Sequence, residues 1–315
     1  QNQLTSRCCH CAGFEAPLKI FLLPIMVGFL QHLLNGLLIG GIYALMGIGL
    51  TLIFGVMNVV NFAHGQFYML AAFAVYTIFT LAGVPYPMAL IISALLVGLL
   101  AAIIERLLLK PIRNEPIDVS MLATIGLSIF LANMVQIIWD PTPKDIGLPF
   151  PLQGIQVGPI SLTPIRVFVL VSALLIIVAS HLFLQRTRVG KAIRATFQDR
   201  EAAALMGVNI DFIYTFTFSW GAGIAALAGG LLAPIFQVFP TMGAIVTAKS
   251  FAVVIVGGLG SFPGAILAGL LLGVAESLGA AYISSGYRDA IAFILIIVVL
   301  LVRPTGLLGK EGRVG

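Results

Sequence analysis

Apolar residues in this 315-residue chain fall into long unbroken runs, not into alternation with polar ones. Runs of that kind predict helices; membrane β-barrel strands alternate at every second residue. The run from about Ile20 to Phe54 is too long for one straight span and holds Pro24, Gln31, His32 and Asn35. It predicts a helix near Leu18–Gly36 and a second near Leu37–Phe54. Further spans are expected at Phe67–Leu81, Met88–Ile104, Val119–Trp139, Ile165–Leu184, Phe212–Leu232 and Ala290–Val302. Ala233–Lys249 is broken by Pro234 and Pro240, and Phe251–Glu276 is apolar but interrupted. The proline-rich stretch Asp140–Pro164 reads as an extramembrane loop.

The fold class expected is all-α, a polytopic transmembrane helical bundle of about eight spans with two broken or re-entrant membrane segments. Composition agrees. The chain is 60% hydrophobic and 9% charged, with a mean hydropathy of +1.09. So few charges cannot build a water-facing surface, so the solvent for most of the chain is a lipid bilayer. The 34 glycines suit close helix packing, and Gly36 with Gly40 forms one small-xxx-small pair. Gln1–Pro17, with Cys8, Cys9, His10 and Cys11, lacks signal-peptide order and metal-ligand spacing. Residues 1–28 are set apart as an N-terminal leader, 29–309 as the membrane domain and 310–315 as a tail.

The net charge is +5, yet basic residues sit in short loops and form no nucleic-acid-binding face. Three segments carry most of them: Arg106, Lys110 and Arg113; Arg186, Arg188, Lys191, Arg194 and Arg200; and Arg303, Lys310 and Arg313. Pairs of crossings separate these segments, so the positive-inside rule puts all three, and the C-terminus, on the cytoplasmic side. Asp140–Pro164 then lies outside.

Two interruptions carry candidate chemistry. One is NFAHG at Asn61–Gly65, with Asn58 before it and Gln66 after it. The other is GGLGSFPG at Gly257–Gly264, with Gly257, Gly258, Gly260, Ser261 and Gly264. Unpaired backbone groups at membrane depth are costly unless protein or a watery cavity satisfies them. Transporters use such paired breaks to line a substrate path. His64 is open to three readings, a pore-lining or gating polar group, a proton relay, or a ring bonded to Asn61 or to broken backbone. The lack of a nearby intramembrane carboxylate argues against the relay, and the rule that buried polar groups are bonded favours the third. Lys249 and Glu276 read as boundary charges with no obvious partner in sequence, Lys249 by snorkelling.

Gly190–Asp211 is a different kind of feature. Ala192–Met206 is rich in helix formers and stops at Gly207, predicting a short exposed helix able to dock into another protein's groove. Gly190, Lys191, Arg194, Asp199, Glu201, Ala202, Ala203 and Gly207 are its candidate docking residues. No catalytic residue, metal ligand or cofactor site is expected. The P-loop pattern fails at Gly190-Lys191-Ala192 and at Gly309-Lys310-Glu311, and no H-E-x-x-H occurs among the four histidines His10, His32, His64 and His181.

The segment Glu201-Ala202-Ala203-Ala204-Leu205-Met206-Gly207 resembles the coupling loop of ATP-binding-cassette importer permeases. Asn35–Leu70 is similar to the first block of the branched-chain amino-acid permease family. Val253–Leu278 and RPTGLLG at Arg303–Gly309 resemble its C-terminal block. The resemblance spans about Phe29–Gly309 and is closest to the smaller of the two permeases, which pairs with a larger sister. It implies a second homologous permease subunit, two ATPase subunits, a periplasmic amino-acid-binding protein and a bacterial inner-membrane location. Leucine, isoleucine or valine would be the cargo, moved by alternating access, with urea, short-chain amides or other amino acids as the alternative.

Overall fold

A computed structural model describes residues 15–147, 149, 155–157 and 160–309. The cysteine cluster and the tail residues Lys310 and Arg313 lie outside them. Eleven helices and one short hairpin follow in order: α1 Glu15–Met57, α2 His64–Val75, α3 Tyr86–Ile104, α4 Ile117–Trp139, β1 Ile155–Val157, β2 Ile160–Leu162, α5 Pro164–Arg186, α6 Arg188–Gln198, α7 Arg200–Leu205, α8 Ile210–Leu232, α9 Met242–Gly257, α10 Phe262–Tyr282 and α11 Arg288–Val302. Tyr76–Leu81 and Glu105–Leu109 extend α2 and α3 as π-helical turns. Among the described residues seven helices are long and apolar enough to cross a membrane; α9 is apolar but shorter. The chain is a multi-pass helical membrane protein.

The two helices expected between Leu18 and Phe54 are one continuous helix, α1. Its polar residues Gln31, His32 and Asn35 do not break it. They are half-buried, and Asn35 accepts a hydrogen bond from Arg166 at 2.9 Å. From Gly40 to Ile53 every residue of α1 is buried, so this helix is the hub of the bundle.

Small residues let that hub be approached closely. Gly36 and Gly40 of α1 face Gly269 and Gly273 of α10 so tightly that a Cβ on Gly273 would lie 2.2 Å from the Gly40 amide nitrogen. Gly49 of α1 meets Gly221 of α8 in the same reciprocal way. In hydrocarbon there is no hydrophobic drive between helices, so such van der Waals contact holds them together.

The basic segments gather at one end. Lys110 and Arg113 pair with Asp211 at the start of α8. Phe197 of α6 touches both Gly55 near the end of α1 and Gly260 after α9. Residues 305–309 pack on Gly258. At the opposite end the proline-rich connection carries the β1–β2 hairpin, and Lys144 pairs with Val238 through two backbone bonds.

Gly273→Val is expected to lower the thermal unfolding midpoint, by overpacking worth about 1–3 kcal/mol or more. Gly28→Val, where a Cβ meets nothing within 4 Å, should leave it unchanged. Equal midpoints for the two variants would contradict close α1–α10 packing.

Candidate functional site

The chain leaves α1 at Met57 at the basic end and reverses at Asn58, whose φ is +53°, a region asparagine tolerates better than most residues. It then climbs back through Val59–Ala63. By the time α2 starts at His64 it stands level with Met46, whose carbonyl lies 3.2 Å from His64 Nε2. Met46 to Met57 is about 16 Å of helix. The first interruption therefore carries irregular backbone deep into the bundle.

Several of its polar groups are satisfied by neighbours on other helices. Phe62 N–H donates to Thr124 Oγ1 of α4 at 3.3 Å, and that hydroxyl lies 3.0 Å from the Val60 carbonyl. Ala63 N–H donates to Asn61 Oδ1 at 3.0 Å, an Asx-type turn. Gly65 N–H donates to Thr247 Oγ1 of α9 at 3.1 Å. Gln66 Nε2 donates to Ser128 Oγ of α4 at 3.0 Å. Asn61, His64, Gly65 and Gln66 are all buried, and Asn58 is exposed at the basic end. Gly65 is wedged against α9, where a Cβ would sit 2.1 Å from the Gly243 carbonyl oxygen. This conformation is packed shut at that point.

Buried polar atoms without a partner concentrate here. Asn61 Nδ2, His64 Nδ1 and Gln66 Oε1 lie within one short stretch, with Thr51 and Thr217 hydroxyls on α1 and α8. Buried polar atoms are rarely left unpaired, so a seam of them is a place for water or a polar guest. The histidine bonds α1 backbone through its ring and Asn61 through its own amide.

The second interruption has a different form. Gly257–Gly264 is the turn between α9 and α10, with Gly264 packed on Gly257 and positive φ at Gly258 and Gly260. Leu307 and Leu308 N–H groups donate to the Val256 and Gly257 carbonyls at the end of α9. Ser261 caps α10 through Gly264 N–H. The two blocks GGLGSFPG and RPTGLLG thus build one unit. The first interruption reaches α9 through Gly65 and Thr247, and this turn continues from the other end of α9.

Gly190–Asp211 forms two helices where one was expected. Asp199 has extended backbone and caps α7 by accepting from Glu201 and Ala202 N–H, so it ends α6 instead of continuing it. Gly207 stops α7 with φ +85°. Thr187 and Asn209 cap α6 and α8. Gly190 packs on the end of α5, and Ala203 is buried; Lys191, Arg194, Glu201 and Ala202 are exposed. The sequence reading missed the most conspicuous pair: Leu205 and Met206 are 88% and 85% exposed at the tip of α7.

Of two buried carboxylates, Glu105 was missed and Glu276 was read as a boundary charge with no partner. Glu276, with a fully buried side chain, lies 2.8 Å from Lys249 Nζ and accepts from Tyr43 OH at 2.8 Å. Lys249 further pairs with Asp289 at 2.9 Å. The two charges read as unpartnered are each other's partner. At the basic end Glu105 accepts from Arg113 at 2.7 Å and from Thr215 at 2.6 Å. Arg113 and Arg200 both lie over the Tyr214 ring, at 4.4 and 5.6 Å, tying α7 to α8.

Glycine-packed spans, a break at depth and an exposed helical tip define a membrane permease-type bundle. The particular family follows from comparison. Residues 32–300 match the family described as branched-chain amino acid transport system / permease component, and the chain belongs to it. It is 37% identical to the high-affinity branched-chain amino acid transport system permease protein LivH of Salmonella typhimurium, over 90% of this chain and 96% of that one. It is 36% identical to BraD of Pseudomonas aeruginosa, a permease protein of the same description, over 91% and 98%. The permease protein LivM of Escherichia coli is 28% identical over 85% of this chain and 68% of its own.

Thr124→Val should destabilise the bundle by about 1–3 kcal/mol by removing the partner of the part-buried Phe62 N–H and Val60 carbonyl, and Thr124→Ser should restore most of it in a thermal melt. Lys249→Met should cost about 3 kcal/mol or more by stranding Glu276. Lys249→Met with Glu276→Leu should cost less than the single change; additive losses would contradict the pairing.

Proposed function

We propose that the chain is the membrane-spanning permease subunit of an ATP-binding-cassette importer for leucine, isoleucine and valine. The observation that carries this reading is the α6–α7 handle. An exposed Leu205–Met206 tip is joined to the bundle by Phe197, whose ring packs on both the end of α1 and the α9–α10 turn. A large apolar pair held out in water by three capped helix starts is a docking feature. A solvated surface loop would bear polar residues at its tip. The names of the relatives support branched-chain amino acids over urea or amides as cargo.

In this reading α6, α7 and the tail face the cytoplasm, in keeping with the positive-inside rule, and the membrane is the bacterial inner membrane. Two ATPase subunits dock on the handle, since the chain has no P-loop pattern of its own. A second, homologous permease completes the channel. A periplasmic binding protein delivers cargo to the loop end, where Asp140–Pro164 lies.

The mechanism follows from the contacts. Closure of the ATPase pair moves α6–α7, and Phe197 transmits the displacement to Gly55 and Gly260 together. Motion of the α1 end pulls on Asn58–Ala63, and motion of the α9 end pulls on Thr247. Those are two of the attachments that hold the start of α2, beside Thr124, Ser128 and the Met46 carbonyl. Separating them opens the polar seam of Asn61, His64 and Gln66, giving alternating access around the break. Gly257, Gly258, Gly260, Ser261 and Gly264 serve as the pivot that α9 turns on.

The test uses co-expressed subunits. Leu205→Asp with Met206→Asp should reduce co-purifying ATPase at least tenfold, the ratio set by about 1.4 kcal/mol, and Glu201→Arg should act in the same direction. The unfolding midpoint of the bundle should not change. ATP-dependent leucine uptake should fall in parallel. Undiminished association, or uptake that persists without the ATPases, would overturn the reading.

A further inference from the structure

At the loop end, away from the break, lies a cavity of about 260 Å³. It is smaller than the roughly 300 Å³ at which drug-sized pockets begin, and suits a molecule the size of an amino acid. Its walls come from α1, α5, α10, the start of α11 and the connection after α8. Arg166 and Arg288 line it, together with His32 and Asn35. The remaining wall is apolar, with Leu38, Ile39, Ile235 and Phe236.

The charges are not balanced. Behind Arg288 stand Glu276, Lys249 and Asp289. Lys249 and Tyr43 hold Glu276 at 2.8 Å each, whereas Arg288 Nε is 3.5 Å from it and makes no hydrogen bond. Arg166 donates to the neutral amide oxygen of Asn35 at 2.9 Å, and among the described residues it has no acidic partner. Around the cavity three cations therefore stand against two carboxylates. One positive charge remains, on two forks whose natural partner is a carboxylate. Arg288 is a third exposed and its one acidic contact is the 3.5 Å approach to Glu276; basic groups that face a cavity in a membrane bundle mark ligand paths.

We propose that this cavity is a loading subsite for an aliphatic amino acid. Arg166 and Arg288 take the α-carboxylate, and Leu38, Ile39, Ile235 and Phe236 take the side chain. The subsite deepens the importer reading and rests on it for the identity of the guest. It places the first contact of the released amino acid at the loop end, one step before the break at Asn61–Gln66. The ion-pair cluster then has a role beyond holding α9, α10 and α11 together. By holding Glu276 on Lys249 and Tyr43 at 2.8 Å, it leaves Arg288 only the looser 3.5 Å contact.

The test uses the whole importer complex in nanodiscs of phosphatidylcholine, without binding protein, and radiolabelled leucine. Saturable binding is expected, displaced by 4-methylpentanoate, which keeps the carboxylate, and at least tenfold less well by leucinamide, which lacks it. Arg166→Gln and Arg288→Gln should each weaken binding at least tenfold, with Arg166→Lys retaining part of it. Ala281→Phe, which fills the cavity from its rim, should abolish binding without removing a charge, so one unstable arginine variant does not decide the matter. Absence of saturable binding, or binding indifferent to these changes, overturns the subsite. So does displacement of leucine by added phosphatidylglycerol, which would make the cavity a lipid-headgroup site. ATP-driven leucine uptake by the wild-type complex with its binding protein is measured separately. Its failure sinks the importer reading, and intact uptake with arginine-independent binding sinks the subsite alone.

Discussion

In hydrocarbon a backbone amide has no water to turn to, so every departure from helix must be matched by a donor or acceptor elsewhere in the protein. The segment Asn58–Ala63 meets that demand with hydroxyls from other helices. Thr124 of α4 serves Val60 and Phe62, and Thr247 of α9 serves Gly65. Because these partners sit on separate helices, the break reports on where those helices stand. A shift of α4 or α9 alters the backbone bonding at the start of α2. Structural necessity and responsiveness are thus properties of the same few bonds.

The ionic groups obey a parallel economy. Removing a carboxylate from water costs several kcal/mol, and only close, multiple partners offset it. Glu276 and Glu105 each combine a cation with a hydroxyl donor; Glu276 joins α10, α9 and α1, and Glu105 joins the end of α3 to α8 and to the turn at Arg113. One cluster lies at the loop end and the other at the basic end. The glycine-lined contacts of α1 with α10 and α8 run between them.

Much of this was legible in the chain. The long apolar runs name the spans, the basic loops assign a common end, and NFAHG marks the true interruption. The misreadings have physical causes. Gln31, His32 and Asn35 look like a helix boundary, yet polar groups can remain inside a helix, as His32 and Asn35 do where they line a cavity beside Arg166. Asp199 looks like an interior residue of a helix, yet a short acceptor side chain competes for backbone N–H groups and starts a new helix instead. Glu276 and Tyr43 lie 233 residues apart, so no local pattern could pair them. The exposure of Leu205 and Met206 depends on which way α7 faces, which only the capped turns around it decide.

The burial of Gly40–Ile53 on every side carries a consequence for biogenesis. In the finished bundle this stretch touches protein alone, and nothing in that setting requires it to be as greasy as a lipid-facing helix. Its composition makes sense at an earlier moment, when α1 must partition into the bilayer before the later helices that surround it have been made. The later helices then close around it and displace lipid. The apolar character of α1 is thus a requirement of insertion that persists as the dry centre of the folded protein.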